Sequence, residues 1–336
     1  MSRAVFLLVL LPVSSVAAVE VSGHVFTRFV NHGNVSAGPS GEFLIRRAGI
    51  TVKSPLGSNL EMEAELEALP GSAALNDCFI LWSPSDALGF TMGYFKMPFC
   101  AATTKSNWNL LSVERTLTHE IAKDLDYSGR FPGMAAEFSP PLPLSPVFTA
   151  GAFSRGGVHE DLEMRYAAVL DISPVSGLTV GGGIACLRVG ETNLMEPSGY
   201  SVSSIQKAFA GHIALKHSFS FNTSLRLEGE YMTGENWEEA DVAFGEEPPR
   251  FRSCWASGLL EHRLRGVPGL RSLEGGLSWS LSVPETDGEY ESRVLAPMIG
   301  VGITSSARVR FTMINRTFED DGPDYSDIVA ELAVRF

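Results

Sequence analysis

The chain has 336 residues, 44% of them hydrophobic and 19% charged, with a formal net charge of −13 at pH 7. This acidity argues against nucleic acid as a partner. The four cysteines form no CxxC motif or Cys/His cluster, so we expect no metal and no cofactor.

The N-terminus has the pattern of a secretory signal peptide over residues 1–18. Arg3 precedes the apolar run Ala4–Val13, and the small residues that follow predict cleavage after Ala18. The alternative, a membrane-anchoring helix, needs roughly 18–20 consecutive apolar residues, and the run is shorter than that. We therefore expect residues 19–336 to form an exported domain.

The rest of the sequence alternates between polar and apolar residues over short runs, which is typical of strands with two different faces. Glu61–Glu67 is the clearest example. One face carries Glu61, Glu63, Glu65 and Glu67, and the other carries Met62, Ala64 and Leu66. In a soluble sandwich the apolar face would be core, whereas in a membrane barrel it would meet lipid and the glutamates would line an aqueous lumen. The alternation alone allows both.

The lengths of the connections favour the barrel. Every second connection is short and rich in Pro, Gly, Ser or Asn, and most of the others are longer and more polar. This is typical of an all-β, 16-stranded antiparallel transmembrane β-barrel, with short turns in the periplasm and long loops outside. The predicted strands are 20–30, 42–53, 59–69, 75–82, 89–96, 129–139, 146–154, 162–172, 178–188, 206–217, 222–233, 252–264, 270–281, 293–303, 306–316 and 326–336.

The longest excursion is Met97–Ser128, here called the long segment, which separates the fifth and sixth predicted strands. Its centre, Asn107–Leu117, has a helical pattern. A connection of this length inside a compact β architecture is usually functional. It would be the third outer loop of the barrel.

Three sequence stretches around the long segment resemble the phosphate-selective porin O and P family of bacterial outer membranes. They are GYFKMPF at 93–99, VERTL at 113–117 and GRFPGMAAEF at 129–138. Tyr94 and Met97 depart from the family pattern, in which glutamine and an acidic residue are usual. The resemblance implies an inward-folded long segment that narrows the pore, a homotrimer and small hydrophilic or anionic solutes such as phosphate.

Several basic residues are predicted to face inward on strands that become neighbours when the barrel closes. The main ones are Arg28, Arg47, Arg308 and Arg310, although the adjacent Arg46 competes with Arg47 for the inward position. Beside them lies the glutamate ladder of Glu61, Glu63 and Glu65, and the long segment adds Lys105, Glu114 and Arg115. Opposite charges on facing walls produce a transverse field that sorts solutes. The alternative is that these charges pair with each other and only keep the lumen wet.

Most of the acidic excess falls in the last three outer loops, around 234–251, 282–292 and 319–324. There it is screened from the constriction beyond a Debye length of about 8 Å. We therefore predict a weakly anion-preferring channel, in contact with outer-membrane lipid and lipopolysaccharide. Cys78 and Cys100 are the only plausible disulfide pair, the alternative being four free thiols.

Two other functions remain open at this point, namely a barrel enzyme such as a phospholipase or protease, and an exported β-rich adhesin. The sequence contains no G-x-S-x-G motif. His119-Glu120 begins like a metalloprotease helix, but Lys123 occupies the place of the second histidine. We therefore expect a porin rather than an enzyme.

Overall fold

The computed structural model describes residues 19–33, 40–69, 71–154, 164–189, 204–236, 250–284, 291–319 and 324–336. The predicted signal peptide lies outside these residues. Within them, sixteen strands form one closed barrel in which each strand pairs antiparallel with its sequence neighbours and β1 pairs with β16. The predicted fold class is confirmed.

Strand bounds differ from the predicted ones mainly at the ends, where several strands are longer. The strands are β1 Glu20–His32, β2 Ser40–Pro55, β3 Leu60–Leu69, β4 Ser72–Ser85, β5 Leu88–Lys96, β6 Arg130–Phe138, β7 Val147–Ser154, β8 Met164–Val175, β9 Leu178–Val189, β10 Ser204–Ser218, β11 Thr223–Glu235, β12 Arg250–Arg263, β13 Ser272–Pro284, β14 Ser292–Gly302, β15 Ala307–Phe318 and β16 Tyr325–Arg335.

The strands have two chemically distinct faces, as the alternation predicts. On β15, Arg308 and Arg310 are buried, whereas Phe311 and Met313 are exposed. The same exposed apolar face continues on other strands with Leu227, Tyr231, Leu273, Leu277 and Trp279. An exposed apolar band around a closed barrel is the surface that an outer-membrane barrel presents to lipid.

Two β-bulges alter the alternation at charged positions. Between β1 and β2, Phe26 pairs with Arg47 but Thr27 pairs with Ile45, so Arg46 is the extra residue. Between β3 and β4, Glu65 pairs with Asp77 but Leu66 pairs with Leu75, so Asn76 is the extra residue. A bulge inserts one residue without a partner and re-aims its side chain. Arg46 and Arg47 therefore both contact buried acids, and the predicted competition between them does not occur.

The helix predicted at Asn107–Leu117 is wrong. Asn107–Asn109 is a single 3-10 turn, and the helices are α1 Ala101–Thr104 and α2 Leu117–Asp124. The physical reason lies in the barrel wall, because arginine side chains bond the carbonyl groups of Leu110 and Val113. Helix α2 begins after Thr116, whose side chain accepts a hydrogen bond from the His119 backbone N–H.

Two apolar clusters pack the long segment against the strands. In the first, Phe99 and Tyr127 pack with Phe153, Phe251 and Trp255. In the second, the segment contributes Leu111 and Val113, which pack with strand residues that include Leu259, Met298 and Val329. Each fully buried apolar side chain contributes about 1.5–3 kcal/mol, so these clusters supply much of the energy that fixes the segment.

All four cysteines are free thiols, with Cys78 exposed and Cys100 buried. Among the described residues, no helix has both the length and the apolar character needed to cross a membrane.

Candidate functional site

The candidate site is built where the long segment meets the buried faces of the strands. One contact is at Arg310, which is 1% exposed. Its Nε donates to Glu274 Oε2 at 2.8 Å, and its Nη1 donates to the backbone oxygen of Leu110 at 2.9 Å. The arginine thus ties β13, β15 and the segment together, and its charge is neutralised by a carboxylate.

A second contact joins four charged side chains from β1, β2, β16 and the segment. Arg28 donates from Nε to Glu331 at 2.8 Å and from Nη2 to the Val113 oxygen at 2.6 Å, and it also pairs with Glu114. Arg46 Nη2 lies 3.1 Å from the other oxygen of Glu114. Two arginines and two glutamates balance here, so the cluster fixes the segment without leaving a net charge.

Strand β11, in another part of the barrel wall, holds the start of the long segment. Glu230 is 4% exposed and accepts hydrogen bonds from the backbone N–H groups of Ala101 and Ala102, at 2.7 and 2.8 Å, and from Trp255 Nε1 at 3.1 Å. Two residues earlier, Glu228 pairs with Lys105 at 2.5 Å. Lys105 therefore lies against β11.

A glycine in β9 permits the closest approach of the segment to that strand. A Cβ atom at Gly183 would collide with the backbone oxygen of Phe99. Nearby, the Tyr127 hydroxyl donates to the backbone oxygen of Glu235 at 2.7 Å. Only glycine at position 183 leaves the space that the Phe99 backbone oxygen needs.

A cavity of about 580 Å³ lies between the long segment and β1–β6, and we call it the large cavity. It is lined by cations whose partners differ. Arg47 pairs with Glu67, and Arg130 pairs with Asp77 at 3.0 Å. These two cations are neutralised.

Lys96 and Arg115 line the same cavity but are held by backbone oxygens. Lys96 Nζ donates to the oxygens of Thr104 and Lys105, both at 3.2 Å. Arg115 donates to the oxygens of Ala102 and Lys105, and to Asn107 Oδ1. In the part of the chain that the structure describes, neither has a carboxylate within 4.0 Å, so neither is neutralised by an ion pair.

The glutamate ladder contributes less negative charge than its sequence implies. Glu63 pairs with Lys53 at 2.7 Å, and Glu67 is paired with Arg47. Glu65 lines the large cavity and accepts a hydrogen bond from Asn76 at 3.1 Å. Glu61 is half-buried on β3 and does not line this cavity. Pairing of wall charges, the alternative left open by the sequence, therefore accounts for two of the four glutamates, Glu63 and Glu67.

Burial shifts the titration of two groups in the long segment. It lowers the pKa of Arg115 to about 10, helped by nearby Arg47. It also lowers the pKa of His119 to about 3, where the neighbouring cations Arg115 and Lys123 act in the same direction. At neutral pH, Arg115 is charged and His119 is neutral.

Sequence reasoning missed Lys96, Arg130, Asp77 and Glu230. Arg130 and Asp77 could have been found from alternation, because both belong to the inward face of predicted strands. Lys96 ends β5, where alternation no longer indicates a direction. Nothing in the sequence shows that Glu230, one of many acidic residues, is the carboxylate that holds α1.

No protein-family model matches the sequence, and no curated protein is detectably similar to it. Solved structures resemble its fold. An anion-selective porin from Comamonas acidovorans aligns at a TM-score of 0.66 and 9% identity, over 95% of this chain and 100% of that one. OprB of Pseudomonas putida gives a TM-score of 0.62 and 10% identity over 95% and 94%. The trimer form of OmpT from Vibrio cholerae gives 0.61 and 10% over 96% and 100%.

These comparisons establish the fold, which is that of the bacterial outer-membrane porins. The protein is an outer-membrane barrel, as its closed sheet and exposed apolar face indicate. The finer resemblance to phosphate-selective porins stays a prediction.

Proposed function

We propose that the protein is a passive diffusion channel for small hydrophilic solutes, narrowed by the long segment and modestly selective for anions. The inward position of the segment is supported by its contacts with buried side chains from strands far apart around the barrel, such as Arg28 on β1 and Glu230 on β11. A segment outside the barrel could not reach both.

The observation that carries the anion preference is the unequal neutralisation around the large cavity. Lys96 and Arg115 have no carboxylate partner there, whereas Glu65 is the lining acid with no cation within 4.0 Å among the described residues. Selectivity follows the local field at the narrow part of a pore, not the net charge of the chain. The acidic outer loops are therefore compatible with a weak preference for anions.

The proposal includes three further points. A homotrimer is supported by the shared fold with OmpT, whose structure is described as a trimer form. A passive role without catalysis is supported by the porins among the similar structures. Contact with outer-membrane lipid and lipopolysaccharide is supported by the exposed apolar face.

The test is a reversal potential measured in a potassium chloride gradient across a planar bilayer. We expect stable conductance with chloride more permeant than potassium. Absence of conductance would reject the channel, and a clear preference for potassium would reject the assigned field. The mass of the detergent-solubilised protein tests the trimer separately.

A further inference from the structure

A smaller cavity of about 210 Å³ adjoins the large one, and we call it the arginine cavity. It lies where the turns 264–271 and 303–306 connect neighbouring strands. Trp108 and Arg335 line both cavities, so the two are adjacent. Four arginines line it, namely Arg226, Arg271, Arg308 and Arg335.

None of these four arginines has a carboxylate within 4.0 Å among the residues described. Two carboxylates also line the cavity, but each is close to a different arginine. Glu274 accepts from Arg310 at 2.8 Å, and Glu261 lies 3.8 Å from Arg263. The cavity therefore has an excess of positive charge that the protein itself does not neutralise.

Arg308 is the most informative of the four. Its side chain is 8% exposed, and its Nε has no hydrogen-bond partner. Its guanidinium carbon lies 4.5 Å from the centroid of the Trp108 ring, and that of Arg335 lies 4.6 Å from the same ring. Cation–π contact offsets part of the cost of burying a charge, but it does not satisfy an N–H donor or remove the repulsion between two cations.

We infer that the arginine cavity binds a small, doubly charged oxyanion of the sulfate or hydrogen phosphate type. Guanidinium groups match the oxygens of such an ion because their planar N–H donors form paired, charge-assisted hydrogen bonds. Bound there, the ion would satisfy Arg308 and screen Arg308 from Arg335. The hydroxyls of Ser272 and Thr304 also line the cavity and can donate to it.

The size of the cavity agrees with this class of ligand. A water molecule in the liquid occupies about 30 Å³, so the volume corresponds to about seven waters. A tetrahedral oxyanion with part of its hydration shell fits such a space. Because the cavity adjoins the large one, the ion would arrive as a free solute.

The test is calorimetric titration of sodium sulfate into the folded, detergent-solubilised protein at constant ionic strength in chloride. We expect saturable binding to the unmodified protein and dissociation constants at least tenfold higher for R308Q and R271Q, since each removes a charged donor. The matched control is R293Q, which removes an exposed arginine paired with Glu291 and Glu319 near the opposite ends of β14 and β15. Its dissociation constant should equal that of the unmodified protein.

Three outcomes would overturn the inference. They are no saturable sulfate binding to the unmodified protein, equal weakening by R293Q and R308Q, and unchanged binding in R271Q. R271Q keeps the test decisive if R308Q does not fold, because Arg271 is exposed. The inference adds a site to the proposed channel but does not require conduction. A protein that binds sulfate without conducting would contradict the channel alone.

Discussion

The cations around the long segment fall into two groups that differ in what holds them. Arg28 and Arg310 form ion pairs with buried glutamates and also bond backbone oxygens of the segment. Lys96 and Arg115 bond backbone oxygens and have no carboxylate partner. A cation paired with a carboxylate anchors the segment but contributes little field, whereas one held only by neutral carbonyl groups is not cancelled by a nearby negative charge.

This comparison separates residues that anchor the segment from residues that affect selectivity. The substitution with the largest expected effect is Arg310→Ala. The change leaves Glu274, whose side chain is 8% exposed, without its cation and removes the bond to Leu110. Breaking a buried pair on one side costs about 3–5 kcal/mol. We expect a corresponding loss in the free energy of unfolding, measured by urea-dependent gel migration of the folded barrel.

Arg293→Ala is the matched control for that measurement, because its ion pairs are exposed. Surface pairs contribute little to stability. Equal losses in the two variants would contradict the anchoring role of Arg310.

Glu230→Gln tests whether the positions of Lys96 and Arg115 depend on the contacts that hold α1. The carboxylate accepts three N–H bonds, and hydrogen bonds to a charged group contribute about 1.5–3 kcal/mol each. Since α1 and the residue after it supply the oxygens that hold Lys96 and Arg115, we expect faster hydrogen exchange across 101–105 and a weaker anion preference. Unchanged exchange there would show that other contacts hold α1.

Lys96→Gln tests the field directly. Two charges about 8 Å apart in water interact with about 0.5 kcal/mol, so losing this cation should reduce the ratio of chloride to potassium permeability about twofold. Arg293→Gln is the matched control, because Arg293 is exposed, pairs with Glu291 and Glu319 and does not line the large cavity. The chloride-to-potassium permeability ratio of this control, obtained from its reversal potential, should not fall below that of Lys96→Gln. The opposite order would break the comparison.

A separate prediction concerns the pH dependence of stability that His119 contributes. Its pKa is lowered to about 3 in the folded protein, from an ordinary value of 6.5, so the unfolded chain binds the proton more readily between these values. Its contribution to stability is therefore fully present above pH 6.5 and is lost as the pH falls toward 3. The unfolding free energy of His119→Gln should depend less on pH in this range than that of the unmodified protein. Equal slopes would remove His119 as the cause.

The barrel and its strand order could be predicted from the sequence because they depend on local periodicity. Side chains alternate across a strand, and connection lengths alternate around a barrel with antiparallel neighbours. The run Glu61–Glu67 and the strand ending at Phe336 carry this pattern in consecutive residues. No contact between distant residues is needed to recognise it.

The positions and partners of the charged side chains at the site were decided by the tertiary structure. The bulges that turn Arg46 and Asn76 inward are set by pairing between strands, and a period of two cannot anticipate an extra residue. The helix expected at Asn107–Leu117 gave way because arginines of the wall bind the backbone oxygens there.

Whether a cation is neutralised by an ion pair depends on carboxylates that lie far away in the chain. Arg28 pairs with Glu331 and Lys105 with Glu228, whereas Lys96 and Arg308 have no carboxylate within 4.0 Å among the described residues. The sequence by itself determined that the protein is a barrel with charged residues on its inner face. Only the folded structure decided which of them remain unneutralised, because Coulomb energies depend on distances in space.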